Sequence, residues 1–182
     1  MAFRALTETQ VLGGLAFCLL AGESVDSQTV SSTVKPDTDP TTNWKQLGCV
    51  KAVAFEVKKK DFVQECPSET GGYSENTTSI VTEDVIVLET ETLGDIVHQL
   101  QFGLTAAPTP GTEQAVFAKA ERKLYGWLKL QGRKLDGTDL LIMDVWCEIT
   151  LRTGYKFMNG LTANALAFKA LKAAGNGIKF VD

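Results

Sequence analysis

Apolar and polar residues alternate along several segments of the chain, with the period of two that is typical of β-strands. In residues 50–58, Val53, Phe55 and Val57 share one face. Residues 82–89 are rich in β-branched side chains and predict a strand that pairs with this one. The apolar run over residues 11–22 predicts the first core strand, and not a cleaved signal peptide, because no clean cleavage site follows it.

The second half of the chain predicts two hairpins. Residues 124–134 and 140–152 flank Asp136-Gly137, a strong hairpin turn signal. Residues 165–172 and 178–181 flank Gly175-Asn176-Gly177, which predicts a second hairpin. A weaker alternation over residues 113–120 predicts one more strand.

One segment predicts a helix. Thr92 is a candidate N-cap, an apolar stripe follows, and Gly103 is a candidate stop. The stripe consists of Leu93, Ile96, Val97 and Leu100. The predicted fold class is therefore mainly β, a β-sandwich or barrel with one packed α-helix.

Two polar segments interrupt this pattern, over residues 22–43 and residues 59–81. The second is far longer than a tight hairpin needs, and a long loop without a core of its own is usually functional or disordered. A chain of 182 residues has room for one well-buried core. We therefore expect a single domain over residues 1–182 that carries both extended segments.

The net charge is −4, so no overall positive field attracts nucleic acid or an anionic membrane. The run Lys58-Lys59-Lys60 lies between Glu56 and Asp61, which favours a solvated strand end.

Catalytic and metal-binding patterns are missing from the sequence. His98 is the only histidine, so a nucleophile would have a single candidate base. The acidic pair Asp136 and Asp139 is explained by turn chemistry. The sequence therefore predicts neither an enzyme nor a cofactor nor a metal site.

Four cysteines without Cys-x-x-Cys spacing have two interpretations. They are either small buried hydrophobic residues or partners in disulfide bonds within or between subunits. The cysteines are Cys18, Cys49, Cys66 and Cys147. Cys66 is the best candidate for a covalent link, because the residues after it are typical of a loop.

The order of these pieces resembles that of bacteriophage tail tube (major tail) proteins. An apolar strand ends at Gly22, a polar arm follows, and Trp44-Lys-Gln-Leu-Gly48 opens the next strand. The order then continues with the Gly-rich excursion through Gly71-Gly72-Tyr73 and the helix. It ends with the paired strands around Asp136-Gly137 and a last strand near Phe168. The resemblance extends over nearly the whole chain.

The resemblance implies hexameric rings that stack into a hollow tube for DNA passage into the host. The implied partners are further copies of this chain, a terminator, a baseplate or tip, a sheath, a tape measure in the lumen, and DNA in transit without specific binding. The implied location is the virion tail, which is assembled in the host cytoplasm. The resemblance implies no membrane partner. The candidate inter-ring contacts are Cys66, Gly71, Gly72 and Tyr73, and the candidate lumen charges are Asp144 and Glu148.

Two other functions fit the same pattern. A ring protein of the same fold that does not polymerise, such as a tail terminator or a secretion-system ring protein, needs only one stacking face. A β-sandwich binding module, for instance for carbohydrate, would use Trp127, Trp146 and Tyr125 as stacking residues on an exposed platform.

Overall fold

A computed structural model gives the fold and describes residues 13–36, 43–47, 50–67, 73–91, 94–133, 139–154 and 164–180. The helix α1 spans Asp95–Phe102. The strands are β1 (Gly13–Leu20), β2 (Ser24–Val25), β3 (Gln28–Thr29), β4 (Lys45–Gln46), β5 (Val50–Pro67), β6 (Tyr73–Thr90), β7 (Lys123–Arg133), β8 (Asp139–Thr153), β9 (Asn164–Ala170) and β10 (Gly177–Phe180). The prediction of a mainly β fold is confirmed.

The main sheet is antiparallel and strongly curled. Its strand order is β4-β1-β7-β8-β9-β6-β5, and β10 pairs with β8 beside this path. β4 and β5 stand at opposite ends of the order, yet only residues 47–49 separate them in the chain. Those residues span at most about 14 Å, whereas the edges of a flat seven-stranded sheet lie about 29 Å apart. The sheet must therefore curl until its two edges meet, which gives a barrel-like layer.

The inner face of this curled sheet carries the larger core cluster. Cys18, Leu128, Ile149 and Phe168 are completely buried there. Helix α1 covers this face with Ile96, Val97 and Leu100. It ends at Gly103, which adopts the left-handed conformation (φ 62°) that glycine favours.

The outer face carries a second, aromatic cluster. Trp127 and Trp146 pack edge to face with ring centroids 5.5 Å apart, and Trp44 joins them. Residues 21–36 fold over this cluster through buried Val25 and Val30. β1 is apolar along most of its length because both of its faces are covered.

The structure corrects three predictions. Residues 113–120 are irregular and contain bends, because the backbone follows Pro108, Pro110 and Gly111 and takes a left-handed conformation at Phe117 (φ 58°). β9 and β10 do not pair with each other, since each of them pairs with β8. The described parts of the segment 59–81 continue β5 and β6 and are not a loop.

Thr92, the predicted N-cap, lies outside the described residues, and Gly94 is the N-cap.

Candidate assembly surface

The β5–β6 hairpin extends well beyond the rest of the sheet. Each strand has 18 residues, and the ladder runs from the pair Val50–Thr90 to the pair Pro67–Tyr73. Only Val85–Thr90 of β6 also pairs with β9. We call residues 57–67 and 73–84 the distal ribbon. It is a two-stranded structure, and such ribbons are only marginally stable in water without further packing.

The hairpin exposes apolar side chains on the inner face. Phe55 pairs with buried Ile86, and Val53 pairs with buried Leu88. Nevertheless, Val53, Phe55 and Val57 are 41%, 63% and 53% exposed. Val81, opposite Lys59 on the same face, is 51% exposed. The inner face therefore continues past the core as an uncovered apolar stripe.

The hairpin also exposes apolar residues on the outer face, where a register shift in β6 brings Ile80. The ladder passes from the pair Lys58–Glu83 to the pair Lys59–Val81, so Thr82 is the extra residue of a β-bulge. Beyond it, Phe62 and Ile80 share the outer face and are 49% and 51% exposed. Within the described part of the chain, six of the ten exposed large hydrophobic residues lie on this hairpin. Such a concentration marks an interaction surface.

Ion pairs fasten the hairpin to the body of the sheet at the bulge. The Glu83 carboxylate accepts hydrogen bonds from Lys169 on β9 at 2.6 Å and from Lys58 on β5 at 2.7 Å. These bonds, Lys169 first, lower the pKa of Glu83 to about 2. The Arg152 guanidinium on β8 lies 2.6 Å from Glu56 on β5. The base of the ribbon is thus held by charges on the outer face.

The predicted inter-ring residues lie at the far end of the ribbon. Cys66 pairs with Ser74 and Tyr73 pairs with Pro67 at the end of the ladder. Gly71 and Gly72 lie outside the described residues. The structure therefore places Cys66 and Tyr73 at the far end of the hairpin, and Cys66 is about 10 residues along β5 from Glu56, where the sheet body ends.

Both predicted lumen carboxylates are engaged within the subunit. Asp144 lies 2.7 Å from Lys35 and 3.0 Å from Lys129. Glu148 accepts a hydrogen bond from the Tyr125 hydroxyl at 3.1 Å and lies 3.8 Å from Lys123. Cations of the same subunit therefore balance the charge of both carboxylates, and their role in a lumen stays a prediction.

Two of the four cysteines are buried free thiols. Cys18 and Cys147 lie on the inner face, and burial raises the pKa of both, that of Cys147 to about 12. Cys49 lies outside the described residues. A disulfide at Cys49 or Cys66 therefore stays a prediction.

The aromatic residues do not form an exposed platform for a ligand. Trp127 and Trp146 are buried, and the Trp127 indole nitrogen donates to the Ser31 carbonyl at 2.9 Å. His98 is half-buried and stacks on Phe102. In the described ranges no three His, Cys, Asp or Glu side chains are grouped closely enough to hold a metal ion, and none of the helices there is long and apolar enough to cross a membrane.

Sequence reasoning missed the residues that now define the surface. The alternation of Val53, Phe55 and Val57 was visible, but it suggested a core-facing strand. Phe62 and Ile80 belong to two short apolar pairs, Phe62-Val63 and Ile80-Val81, in an otherwise polar stretch. The available signal was that these pairs lie at similar distances from the hairpin turn on the two strands.

No family model matches the chain, and no curated protein is significantly similar to it. Among solved structures, a chain of the extracellular contractile injection system PVC sheath–tube complex in its extended state is similar. It has 9% identity and a TM-score of 0.44, covering 97% of this chain and 95% of that chain. A chain of the anti-feeding prophage baseplate has 8% identity and a TM-score of 0.45, covering 100% of this chain and 99% of that chain. At these values the likeness carries no functional argument.

Proposed function

We propose that the protein is a self-assembling structural subunit of a phage tail tube. In this proposal, hexameric rings stack into a hollow tube through which DNA passes, and tail components such as a terminator, a baseplate and a sheath adjoin it. The observation that carries the proposal is the long β5–β6 hairpin with its exposed apolar faces. The order of sequence elements that resembles tail tube proteins supports it.

The hairpin suits assembly because it offers both open backbone edges and exposed apolar side chains. Its strands expose unpaired backbone edges, which in a monomer would template uncontrolled aggregation. Ordered contact between copies removes those edges, and a heterologous contact that closes by rotation gives a ring. Burial of one phenylalanine or valine side chain contributes about 1.5–3 kcal/mol, so a few such residues suffice for stable association.

The lumen in this proposal is a weakly binding surface. DNA that slides must not make many contacts with cationic side chains, because each such contact releases counterions from the phosphates and thereby strengthens binding. The outer-face charges of β5, β6, β8 and β9 are largely paired with one another, as in Glu83–Lys169 and Glu56–Arg152. Balanced pairs of this kind would give a bore that neither traps nor strongly repels DNA.

Negative-stain electron microscopy of the purified protein, over a wide range of concentrations, tests the proposal. Rings and hollow tubes are expected, with a sixfold end-on view. Discrete rings that never stack would favour the terminator-like alternative. A monodisperse monomer at every concentration, confirmed by light scattering, would overturn the proposal.

A further inference from the structure

We propose that the distal ribbon of the free subunit closes onto β10 of the same copy, so that residues 77–80 of β6 pair with Gly177–Phe180. The contact lies within one chain and does not depend on the proposed self-assembly. It follows from the position of β10 beside β8, from the register of the neighbouring strands and from the apolar side chains on both edges.

β10 lies in line with β9 along the same side of β8. β7 occupies one side of β8, and both β9 and β10 pair on the other. The Leu171 amide at the end of β9 donates to the Trp146 carbonyl at 2.8 Å. The Asn176 side chain, just before β10, accepts from the Trp146 amide and donates to the Leu171 carbonyl. Since β6 lies on the far side of β9, the second edge of β10 faces residues 73–84 of the same copy.

Both facing edges lack a strand partner among the described residues. Residues 73–84 of β6 pair with β5 alone, and β10 pairs with β8 alone. A two-stranded ribbon is marginally stable in water, whereas a third strand supports it. An open edge is also a template for unwanted pairing. Closure onto β10 removes both disadvantages within a single copy, for the part of β6 that it covers.

The ladders around β10 set the register of the closed contact. Lys169 of β9 pairs with both Val85 of β6 and Glu148 of β8, which sets these two strands level. The count along β6 from there, with Thr82 as the extra residue of the bulge, gives four antiparallel pairs with β10. They are Ile80–Gly177, Ser79–Ile178, Thr78–Lys179 and Thr77–Phe180. No pair sets like charges opposite each other, which would be destabilising.

The closed contact covers exposed apolar side chains on both faces. Ile178 pairs with Met143 on the inner face and is 55% exposed. In the closed register Val81, 51% exposed on the inner face, is its diagonal neighbour on β6, close enough for contact. On the outer face Ile80 lies opposite Gly177, where an added Cβ meets no atom within 4 Å. The Ile80 side chain therefore has room to lie across β10.

The bulge in β6 is the hinge of this movement. The Thr82 hydroxyl donates to the Lys58 carbonyl at 3.1 Å, which holds the extra residue in place. A bulge bends its strand, and at this point β6 stops pairing with the line of β9 and β10. In the open arrangement of the structure, Glu83 and its two lysines fix the base of the ribbon. Rotation about the bulge brings residues 77–80 onto β10 while this base stays in place.

Disulfide trapping within one chain tests the contact. Ser79→Cys and Ile178→Cys are combined in a Cys49→Ser, Cys66→Ser background and oxidised at a concentration too low for assembly. Directly opposite residues of an antiparallel pair bring their Cβ atoms to about 4.5–5.5 Å, close to the separation that a disulfide needs. The expected product is a monomer on a non-reducing gel that has lost two thiols when thiols are counted in denaturant.

Asp61→Cys combined with Ile178→Cys is the matched control. Asp61 pairs with Ser79 and accepts a hydrogen bond from its hydroxyl at 2.5 Å, so either substitution removes the same bond. Asp61 lies on β5, one strand further from β10, at about 10 Å in the closed contact. Its disulfide should therefore form at least about tenfold more slowly. Equal rates, or no bond within the Ser79→Cys chain, would overturn the closure. A bond that forms only between chains would overturn it too, because β10 would then receive another copy.

The trapped ribbon also shows what closure does in assembly, and this step rests on the proposed function. A closed ribbon withholds residues 77–80 of β6 from other copies, so oxidation of the Ser79→Cys, Ile178→Cys protein should abolish assembly and a reductant should restore it. Equal assembly of the oxidised and reduced protein would overturn this role of the closure. A chain that forms the internal bond but assembles in neither state would remove the proposed function and leave the closure standing.

Discussion

The Glu83 carboxylate lies 2.6 Å from the Lys169 ammonium, next to the last rung of the ladder that joins β6 to β9. Among the described residues, the part of β6 before Val85 pairs with β5 alone. The same carboxylate also binds Lys58, so one side chain connects three strands where the hairpin leaves the sheet. Ion pairs on the outer face therefore join the three strands at the point where the ribbon leaves the sheet.

Replacement of Glu83 by Gln should remove a pH-dependent part of the stability. The pKa of Glu83 is about 2 in the fold against 4.5 in the unfolded chain. A lowered pKa stabilises the fold above pH 4.5, and this contribution is lost as the pH falls from 4.5 towards 2. Urea unfolding should show the variant less stable than the parent at pH 7, with a difference that shrinks over that range. Glu89→Gln, an exposed carboxylate on the same strand, is the control. A difference that persists unchanged at pH 2 would contradict the prediction.

Phe55→Thr should weaken assembly without unfolding the subunit. The side chain is 63% exposed in the isolated copy, and threonine keeps the β preference of the strand. Loss of its burial in a contact costs about 1.5–3 kcal/mol, equivalent to a roughly ten- to hundredfold higher concentration at the assembly midpoint. Light scattering measures that midpoint. Val116→Thr, with 53% exposure outside the hairpin, should leave it unchanged. Equal effects of both variants would argue against a specific role of the hairpin.

The sequence predicted the elements whose signals are local. The alternation on both sides of Asp136-Gly137 identified the pairing of β7 with β8, while the turn itself lies outside the described residues. The apolar stripe before Gly103 identified α1. The pairing of β9 and β10 was wrong because tertiary contacts decide it. The Asn176 side chain accepts from the Trp146 amide and donates to the Leu171 carbonyl, each at 2.8 Å. That turn is therefore bound to β8 and does not close a hairpin.

The candidate assembly surface was harder to predict, because the alternation along a strand is the same whether its apolar face contacts its own core or another subunit. Val53 and Phe55 have the spacing of core residues, and only the curl of the sheet shows that no core covers them. The lumen role of Asp144 and Glu148 stays a prediction, but the ion-pair partners of Asp144 could not be read from the sequence. The partners of Asp144, Lys35 and Lys129, come from distant segments.

Ser27→Gly should stabilise the segment that covers the aromatic cluster. Asp26 and Ser27 connect β2 to β3, and both have positive φ, 49° and 63°. Glycine adopts this conformation without strain, so we expect a gain of about 0.5–1 kcal/mol and a melting temperature higher by about 1–4 °C. Ser24→Gly, at an exposed position of β2 outside the turn, is the control and should bring no gain. A lower melting temperature for Ser27→Gly would refute the strain argument.

Gly126→Ala should strongly destabilise the sheet. A Cβ at this position would lie 2.5 Å from the Leu19 carbonyl oxygen on the neighbouring strand, so β1 or β7 must move. Overpacking of this kind costs about 1–3 kcal/mol or more. Chemical denaturation should show the loss, whereas Gly177→Ala, where no atom lies within 4 Å of the added Cβ, should change stability little. A well-folded Gly126→Ala protein of parental stability would contradict the prediction, because it would mean that β1 and β7 move apart at little cost in free energy.

Cys18 and Cys147 should resist thiol reagents as long as the fold is intact. Both thiols are completely buried on the inner face. Burial raises the pKa of Cys147 to about 12, and burial together with the nearby Cys147 raises that of Cys18. Since the thiolate is the reacting species, a Cys49→Ser, Cys66→Ser variant should show no reaction in native buffer and two reactive thiols in denaturant. Rapid labelling of the native variant would mean that the inner face opens to solvent, because burial is the main reason that the thiolate is suppressed at both positions.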